Sequence, residues 1–177
     1  MSIAKKRGYL TVRETCIFAM LGALMFASKL LMDVLPNIHL IGMFIVLFTV
    51  VFRAKALIPI YVFVTVTGLY GGFAPWWVPY LYIWAVLWLM TMLLPRSMPE
   101  AVAAVAYSVV CALHGFLYGI LYAPAQALLY GFNFEQTLAW IAAGIAFDVT
   151  HGISNFAAGF LVLPLAKVIR KTLRIKA

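Results

Sequence analysis

Three polar side chains stand close together in an otherwise apolar stretch near the C-terminus. Asp148, His151 and Asn155 follow one another at i, i+3 and i+7, a spacing that puts them on one face of a helix. A carboxylate, an imidazole and an amide together donate and accept hydrogen bonds, so we expect this face to contact a small polar ligand. The alternative is that Asp148 and His151 pair with each other and fasten two helices together.

A second set of residues with similar chemistry precedes the first along the chain. His114, Tyr118 and Tyr122 are spaced i, i+4 and i+8. If the helix that carries them begins at residue 100, His114 lies ~21 Å along it at the usual helical rise, at a depth from which it can approach the polar triplet. We therefore expect the two faces to share a cavity, which His39 and Gln126 close from the adjoining loops.

Aromatic rings dominate the stretch from residue 73 to residue 88. Trp77, Tyr80, Trp84 and Trp88 are spaced i, i+3, i+7 and i+11, again on one helix face. Rings arranged in this way can stack on a planar or apolar ligand. Because Trp and Tyr also favour membrane interfaces, the set is either a wall of the cavity or part of an interfacial belt.

The composition indicates the environment in which these residues act. Of 177 residues, 66% are apolar and only 10% are charged, and the mean hydropathy is +1.05. A soluble domain is about half apolar and about a quarter charged. This excess excludes a water-soluble enzyme and a disordered tail, and it excludes a nucleic-acid partner despite the net charge of +8. We expect an integral membrane protein in contact with the lipid bilayer.

Apolar stretches follow one another along the chain. Six of them, at about 14–34, 38–52, 56–71, 77–95, 100–123 and 137–166, are separated by Pro, Gly or charged residues. A membrane helix needs roughly 20 residues, or fewer where the bilayer adapts. The stretches do not alternate as the strands of a barrel would. The sequence therefore predicts one transmembrane domain over 1–177, an all-α, compact bundle of six transmembrane helices.

The positive charges give this bundle an orientation. The Lys and Arg residues other than Lys29 fall into four groups that six crossings place on one side: Lys5, Lys6, Arg7 and Arg13; Arg53 and Lys55; Arg96; and Lys167, Arg170, Lys171, Arg174 and Lys176. Because basic residues are retained in the cytoplasm, we expect both termini there. Lys29 is four residues from Asp33, within reach of an ion pair.

No motif in the sequence indicates a cofactor, a metal or an energy source. Cys16 and Cys111 are isolated, without the C-x-x-C spacing of zinc or redox sites. No G-x-x-x-x-G-K-[ST] motif for nucleotide phosphates is present. We expect a transport protein rather than an enzyme, with no cofactor and no metal, and any ATP hydrolysis must occur on another chain.

Small residues form a strip along the first predicted helix. Ala19, Ala23 and Ala27 are four residues apart, and Gly22 lies beside them. Such a strip lets another helix approach backbone to backbone. The partner is either another helix of this chain or a second protein.

These features together carry a resemblance to a known family. They are the Ala19-x-x-x-Ala23 strip, the compact predicted bundle with its basic tail, and the closing sequence Phe147-Asp148-Val149-Thr150-His151 followed by Asn155 and Leu163-Pro164-Leu165. In this combination the chain resembles the S component, the substrate-binding membrane subunit, of an energy-coupling factor (ECF) vitamin transporter. The resemblance covers essentially the whole chain.

The resemblance implies a location, partners and a mode of action. An S component resides in the bacterial plasma membrane and binds a vitamin or precursor from outside, in a pocket lined by helices four to six and by the loops after helices one and three. The strip Ala19, Ala23 and Ala27 then docks against a transmembrane coupling subunit served by two ATPase subunits. Toppling of the S component delivers the ligand toward the cytoplasm.

The residues of the predicted pocket constrain the ligand. Apart from Lys29 the pocket has no basic residue, and it is rich in rings and hydrogen-bonding groups. This favours a hydroxymethylpyrimidine or a pyridoxine-like ligand, while pantothenate stays open because Lys29 and loop donors could hold one carboxylate. Two other functions also stay open: a self-sufficient oligomeric carrier or channel, and an intramembrane enzyme that uses Asp148 and His151 for acid–base chemistry.

Overall fold

The computed structural model describes residues 10–35 and 38–174 of the chain. The basic residues Lys5, Lys6, Arg7 and Lys176 lie outside these ranges. Within them the regular structure is helical and contains no strand. The predicted all-helical class is therefore confirmed.

Eight α-helices occur in the described ranges. They are α1 (Val12–Met32), α2 (Ile41–Phe52), α3 (Leu57–Gly71), α4 (Tyr80–Met92), α5 (Glu100–Phe116), α6 (Tyr118–Tyr130), α7 (Phe134–Gly159) and α8 (Val162–Leu173). Short 3₁₀ turns at Arg53–Ala56 and Pro75–Trp77 precede α3 and α4.

The last two predicted helices are each divided in two. The backbone of Leu117 (φ −93°, ψ 1°) leaves the helical range between α5 and α6, and α7 and α8 meet at a bend of 47°. α6 also continues through Pro124 to Tyr130, beyond the predicted end at 123, because a proline removes only one helical hydrogen bond. Gln126 consequently lies in α6 rather than in a loop.

Helix α2 is the centre of the packing. Ten of its twelve residues are buried, and a helix that is apolar on all sides suits such a position because no face of it needs water. Its neighbours include α4, α5, α7 and α8. Functional groups that precede its first turn are therefore held inside the molecule.

Contacts between α1 and its neighbours fix their relative directions. The Phe18 and Phe52 rings, 5.2 Å apart, join the start of α1 to the end of α2, whereas the Phe26 and Tyr70 rings, 5.3 Å apart, join the later parts of α1 and α3. The chain therefore reverses between α2 and α3. The reversal occurs at Arg53, whose φ of 54° is unusual for a residue with a side chain.

Helices α5 and α7 pack antiparallel with their backbones in close contact. A Cβ atom on Gly115 would lie 2.8 Å from the Cα atom of Gly152, and one on Gly159 would lie 2.4 Å from the Cα atom of Ser108. Small residues permit this approach. The close approach places the polar faces of α5 and α7 next to each other.

Among the described residues, three helical stretches are long and apolar enough to cross a membrane: Val12–Met32, Ile41–Gly71 and Glu100–Tyr130. The second of these contains the reversal at Arg53, so its length alone does not make it one span. The bent pair α7 and α8 makes a fourth if it is taken as one span. These findings concern length and composition, and they are consistent with a membrane protein. The predicted count of six spans stays a prediction.

Candidate ligand-binding site

Five predicted site residues from five different elements meet inside the molecule. We call them the ring cluster: His39 before α2, Trp84 of α4, His114 of α5, Tyr118 of α6 and His151 of α7. Ring centroids are 4.5 Å apart for His39 and His151, 4.8 Å for Tyr118 and His151, and 5.8 Å for Trp84 and His114. Residues separated by more than a hundred positions thus form one group.

A hydrogen bond between two imidazoles links the loop before α2 to α7. The Nε2 atoms of His39 and His151 are 2.6 Å apart. One ring donates and the other accepts, so the accepting ring is neutral. The bond fixes the orientation of both rings, and either ring could exchange its partner for a ligand atom.

Several buried polar atoms at this site have no hydrogen-bond partner among the described residues. They are Nδ1 of His39, Nε1 of Trp84 and Oδ1 of Asn155. Asn155 lies one turn beyond His151, with its amide against Gly42 in the first turn of α2. Buried polar atoms in native proteins nearly always have partners. These three atoms supply an indole donor, an amide acceptor and an imidazole nitrogen to one region.

Asp148 and His151 do not bond to each other as the pairing alternative proposed. The Asp148 carboxylate instead accepts the backbone N–H of Gly119, at 3.0 and 3.1 Å from its two oxygens. Gly119 is in the first turn of α6, where an anion satisfies free N–H groups and the helix dipole. The break at Leu117 thus creates a helix end that Asp148 caps.

His114 also has a structural partner. Its Nε2 atom lies 3.1 Å from the carbonyl oxygen of Ile83 in α4. This bond ties α5 to α4 beside Trp84. The imidazole therefore positions the indole as well as forming part of the cluster.

Tyr80 and Tyr122 lie at the edge of the ring cluster. The Tyr80 ring centroid is 5.3 Å from that of Trp84, and the Tyr122 ring centroid is 5.8 Å from that of Tyr118. The Tyr122 hydroxyl donates to the carbonyl oxygen of Trp76 at 2.6 Å, which ties the turn before α4 to α6.

The two remaining tryptophans of the predicted aromatic face form their hydrogen bonds outside the ring cluster. Trp77 donates its indole N–H to the carbonyl oxygen of Val64, at 2.8 Å. Trp88 donates to the carbonyl oxygen of Arg53, at 3.1 Å, where the chain reverses. Gln126 is half-buried on α6. None of these residues belongs to the ring cluster as defined here.

Two residues that the sequence did not single out contact the site. Phe63 of α3 packs edge-on against Trp84, with centroids 6.2 Å apart, and Trp140 of α7 stacks on Tyr122 at 5.9 Å. Phe63 stands in a uniformly apolar run that gives no signal. Trp140 precedes Asp148 by eight residues, on the same helical face, so extending that face by two turns would have found it.

The ring cluster is filled by its own side chains. Trp84, His114 and His151 are only 2%, 1% and 4% exposed. The sequence predicted a cavity at this position, and the structure has rings in contact there instead. A ligand must therefore separate side chains that pack together in this structure.

The small-residue strip on α1 faces outward. Ala19, Ala23 and Ala27 are all exposed, while Gly22 is buried against Val62 and Pro59 of α3. The internal partner of α1 therefore contacts Gly22, and the alanine strip is left available for a different surface.

Two further findings concern metal binding by the described residues and the similarity of the chain to known proteins. Among the described residues, no group of three or more His, Cys, Asp or Glu side chains is arranged to hold a metal ion. Comparisons of the chain with protein-family models, with curated proteins and with solved structures found no match.

Proposed function

We propose that the chain is the substrate-binding S component of an ECF-type importer and that it binds a small, water-soluble vitamin or precursor at the ring cluster. The observation that carries this proposal is the set of buried polar atoms on His39, Trp84 and Asn155 that have no partner among the described residues. They come from three separate elements, and two of them belong to the ring cluster. This combination suits a small aromatic molecule with its own donors and acceptors.

The chemistry of these atoms favours a neutral or weakly basic ring. The Trp84 N–H requires an acceptor on the ligand, the Asn155 oxygen requires a donor, and His39 Nδ1 can take either role. Lys29 is already paired with Asp33, at 3.0 Å. A hydroxymethylpyrimidine or a pyridoxine-like ring, with ring nitrogen and hydroxyl or amino groups, therefore fits better than pantothenate.

Ligand entry opens the packed cluster. We propose that the His39–His151 hydrogen bond breaks, so that both imidazoles turn toward the ligand. The bond joins the loop before α2 to α7 and is not itself a contact between two packed helices. His114 and Asp148 keep their backbone partners, so α5 stays joined to α4 and α7 stays joined to α6.

The proposed membrane arrangement has six spans and cytoplasmic termini. Three contacts support a reversal of direction between consecutive segments: Phe18 with Phe52, the Tyr61 hydroxyl with the Leu81 carbonyl, and Gly115 with Gly152. In this arrangement α5 with α6, and α7 with α8, each form one bent span. The basic ends of α2, α4 and α8 then lie on one side, as the positive-inside rule requires.

The alanine strip is the proposed docking surface for the coupling subunit, which two separate ATPase subunits energise. Replacing Ala19 and Ala23 by Leu adds bulk to an exposed surface and blocks close helix contact. We expect ATP-dependent uptake to be lost and ligand affinity to stay within about twofold. The matched control is Ala142→Leu with Ala143→Leu on the exposed face of α7. Loss of affinity with intact assembly would refute the docking assignment.

Identification of the ligand tests the function directly. The protein purified from its native membrane in mild detergent should release one small aromatic molecule, detected by mass spectrometry. A multiply anionic compound, or none, would count against the proposal. Transport into liposomes without partner subunits would instead indicate a self-sufficient carrier, and chemical turnover of the ligand would indicate an enzyme.

Two matched substitutions test the site. Trp84→Phe keeps the ring and removes the unpartnered N–H, whereas Trp77→Phe removes an N–H that bonds to a backbone carbonyl outside the cluster. We expect about tenfold weaker ligand binding for Trp84→Phe, since one buried hydrogen bond contributes about 1 kcal/mol or more. Trp77→Phe should leave the affinity within about twofold. Equal effects would remove the ring cluster as the binding site.

A further inference from the structure

A cavity of about 500 Å³ lies at the other end of α2 from His39. Its lining includes Arg53, Arg96, Arg170 and Tyr107, and we call it the arginine cavity. Because α2 has twelve residues, this cavity and the ring cluster are separated by ~18 Å of helix.

Two of the three guanidinium groups are held by backbone carbonyls. Arg53 donates from one Nη atom to the carbonyl oxygen of Met92, and Arg170 does the same to Val50, each at 3.0 Å. The Nε atoms of both side chains are buried and have no partner among the described residues. Each group is therefore fixed in place with donors to spare.

No side-chain carboxylate forms an ion pair with these arginines in the part of the chain that the structure describes. The sequence has five acidic residues, and all of them are in the described ranges. Three form ion pairs with lysines: Glu14 with Lys55, Asp33 with Lys29, and Glu100 with Lys167. Asp148 caps α6, and Glu135 lies in the first turn of α7. Three positive charges thus share one cavity, and residues 10–35 and 38–174 supply no counter-ion to it.

We propose that the arginine cavity binds a phosphate-type oxyanion. Guanidinium forks match phosphate oxygens in geometry, and paired N–H groups form the strongest hydrogen bonds to them. Partly buried cations without a partner are costly, so an oxyanion both fills the cavity and satisfies the free donors. The source is either the headgroup of an anionic phospholipid or a free phosphate compound, since both present the same chemistry to the arginines.

Charge-matched variants test this proposal in the full chain. Arg96 is exposed, so Arg96→Gln removes one cavity charge without disturbing the interior. Lys171→Gln removes one charge from the exposed face of α8 next to Arg170, outside the cavity lining. Native mass spectrometry with equimolar phosphatidylglycerol and phosphatidylcholine measures lipid retention, and calorimetric titration with inorganic phosphate measures the free anion.

We expect Arg96→Gln to weaken binding about tenfold or more, the value of a hydrogen bond to a charged group, and Lys171→Gln to change it less than about twofold. Selective retention of phosphatidylglycerol without phosphate binding identifies a lipid headgroup, and saturable phosphate binding identifies a free anion. Binding of neither probe, or equal effects of the two substitutions, overturns the proposal. Vitamin binding should be the same in both variants, so the two proposals fail separately.

Discussion

The ring cluster and the arginine cavity lie at opposite ends of α2 and differ in the chemistry that they offer to a ligand. Both contain buried polar atoms without partners: His39, Trp84 and Asn155 at one end, Arg53 and Arg170 at the other. At the ring cluster these groups form no ion pair and the space is filled by rings. At the arginine cavity they are cationic and line a space of about 500 Å³.

Under the two proposals, one bundle binds two kinds of ligand by different means. The ring cluster relies on stacking and single hydrogen bonds, which act at short range and demand a matching shape. The arginine cavity relies on charge, which acts over a longer range and tolerates varied ligands. The first region therefore suits selection of one molecule, and the second suits a class of anions.

The largest expected effect is a loss of phosphate binding that leaves vitamin binding unchanged. The double variant Arg53→Gln with Arg170→Gln should weaken phosphate binding about a hundredfold, since each charge-assisted bond contributes about tenfold or more. Vitamin affinity should remain within about twofold. Calorimetric titration of each ligand measures both quantities, and circular dichroism reports whether the helices are retained. A parallel loss of vitamin binding in a correctly folded protein would mean that the regions are coupled through α2.

A second variant perturbs only the end with the ring cluster. Gly115→Ala places a Cβ atom 2.8 Å from the Gly152 backbone, so α5 and α7 must separate. We expect the free energy of unfolding to fall by about 1–3 kcal/mol and vitamin binding to weaken, with phosphate binding unchanged. Gly144→Ala is the control, because a Cβ atom there meets nothing within 4 Å. Denaturant titration in detergent measures the stability, and equal losses in both variants would contradict this account.

Helical spacing in the sequence grouped several residues of the ring cluster, although the sequence predicted a cavity where the structure has packed rings. His114 with Tyr118, and Trp84 with Tyr80, lie on helix faces that periodicity reveals. The contact of His39 with His151 depends on tertiary packing. The sequence alone placed His39 only in a loop near the site. The break at Leu117 gave no signal in the sequence, because Asp148, which caps the new helix end, is 29 positions away from its partner Gly119.

The arginine cavity was missed for a different reason. Arg53, Arg96 and Arg170 stand singly at the ends of different helices, where positive charge alone already explains them through membrane orientation. Only the fold shows that they converge on one space and that the acidic side chains of the described residues form no ion pair with them. The tertiary fold brings these isolated charges together into a candidate anion site, and no local sequence pattern indicates that arrangement.

The smallest expected effect concerns Asp148, which the sequence assigned to the ligand. Its carboxylate bonds the Gly119 N–H, so we expect a positioning role at the ring cluster. Asp148→Asn keeps an acceptor but removes the charge that favours a helix N-terminus, and it should lower the free energy of unfolding by about 1 kcal/mol. Vitamin affinity should change less than about twofold.

Gly119→Ala disturbs the same contact from the opposite side, since its Cβ atom would lie 2.4 Å from Asp148 Oδ2. If Asp148 acts through the helix cap, this variant also loses stability although every proposed ligand contact is intact. For both variants, denaturant titration measures the free energy of unfolding and calorimetry measures the vitamin affinity. A tenfold loss of vitamin affinity in Asp148→Asn without loss of stability would return the carboxylate to the ligand and make the ring cluster an ionic site, which would abolish its contrast with the arginine cavity.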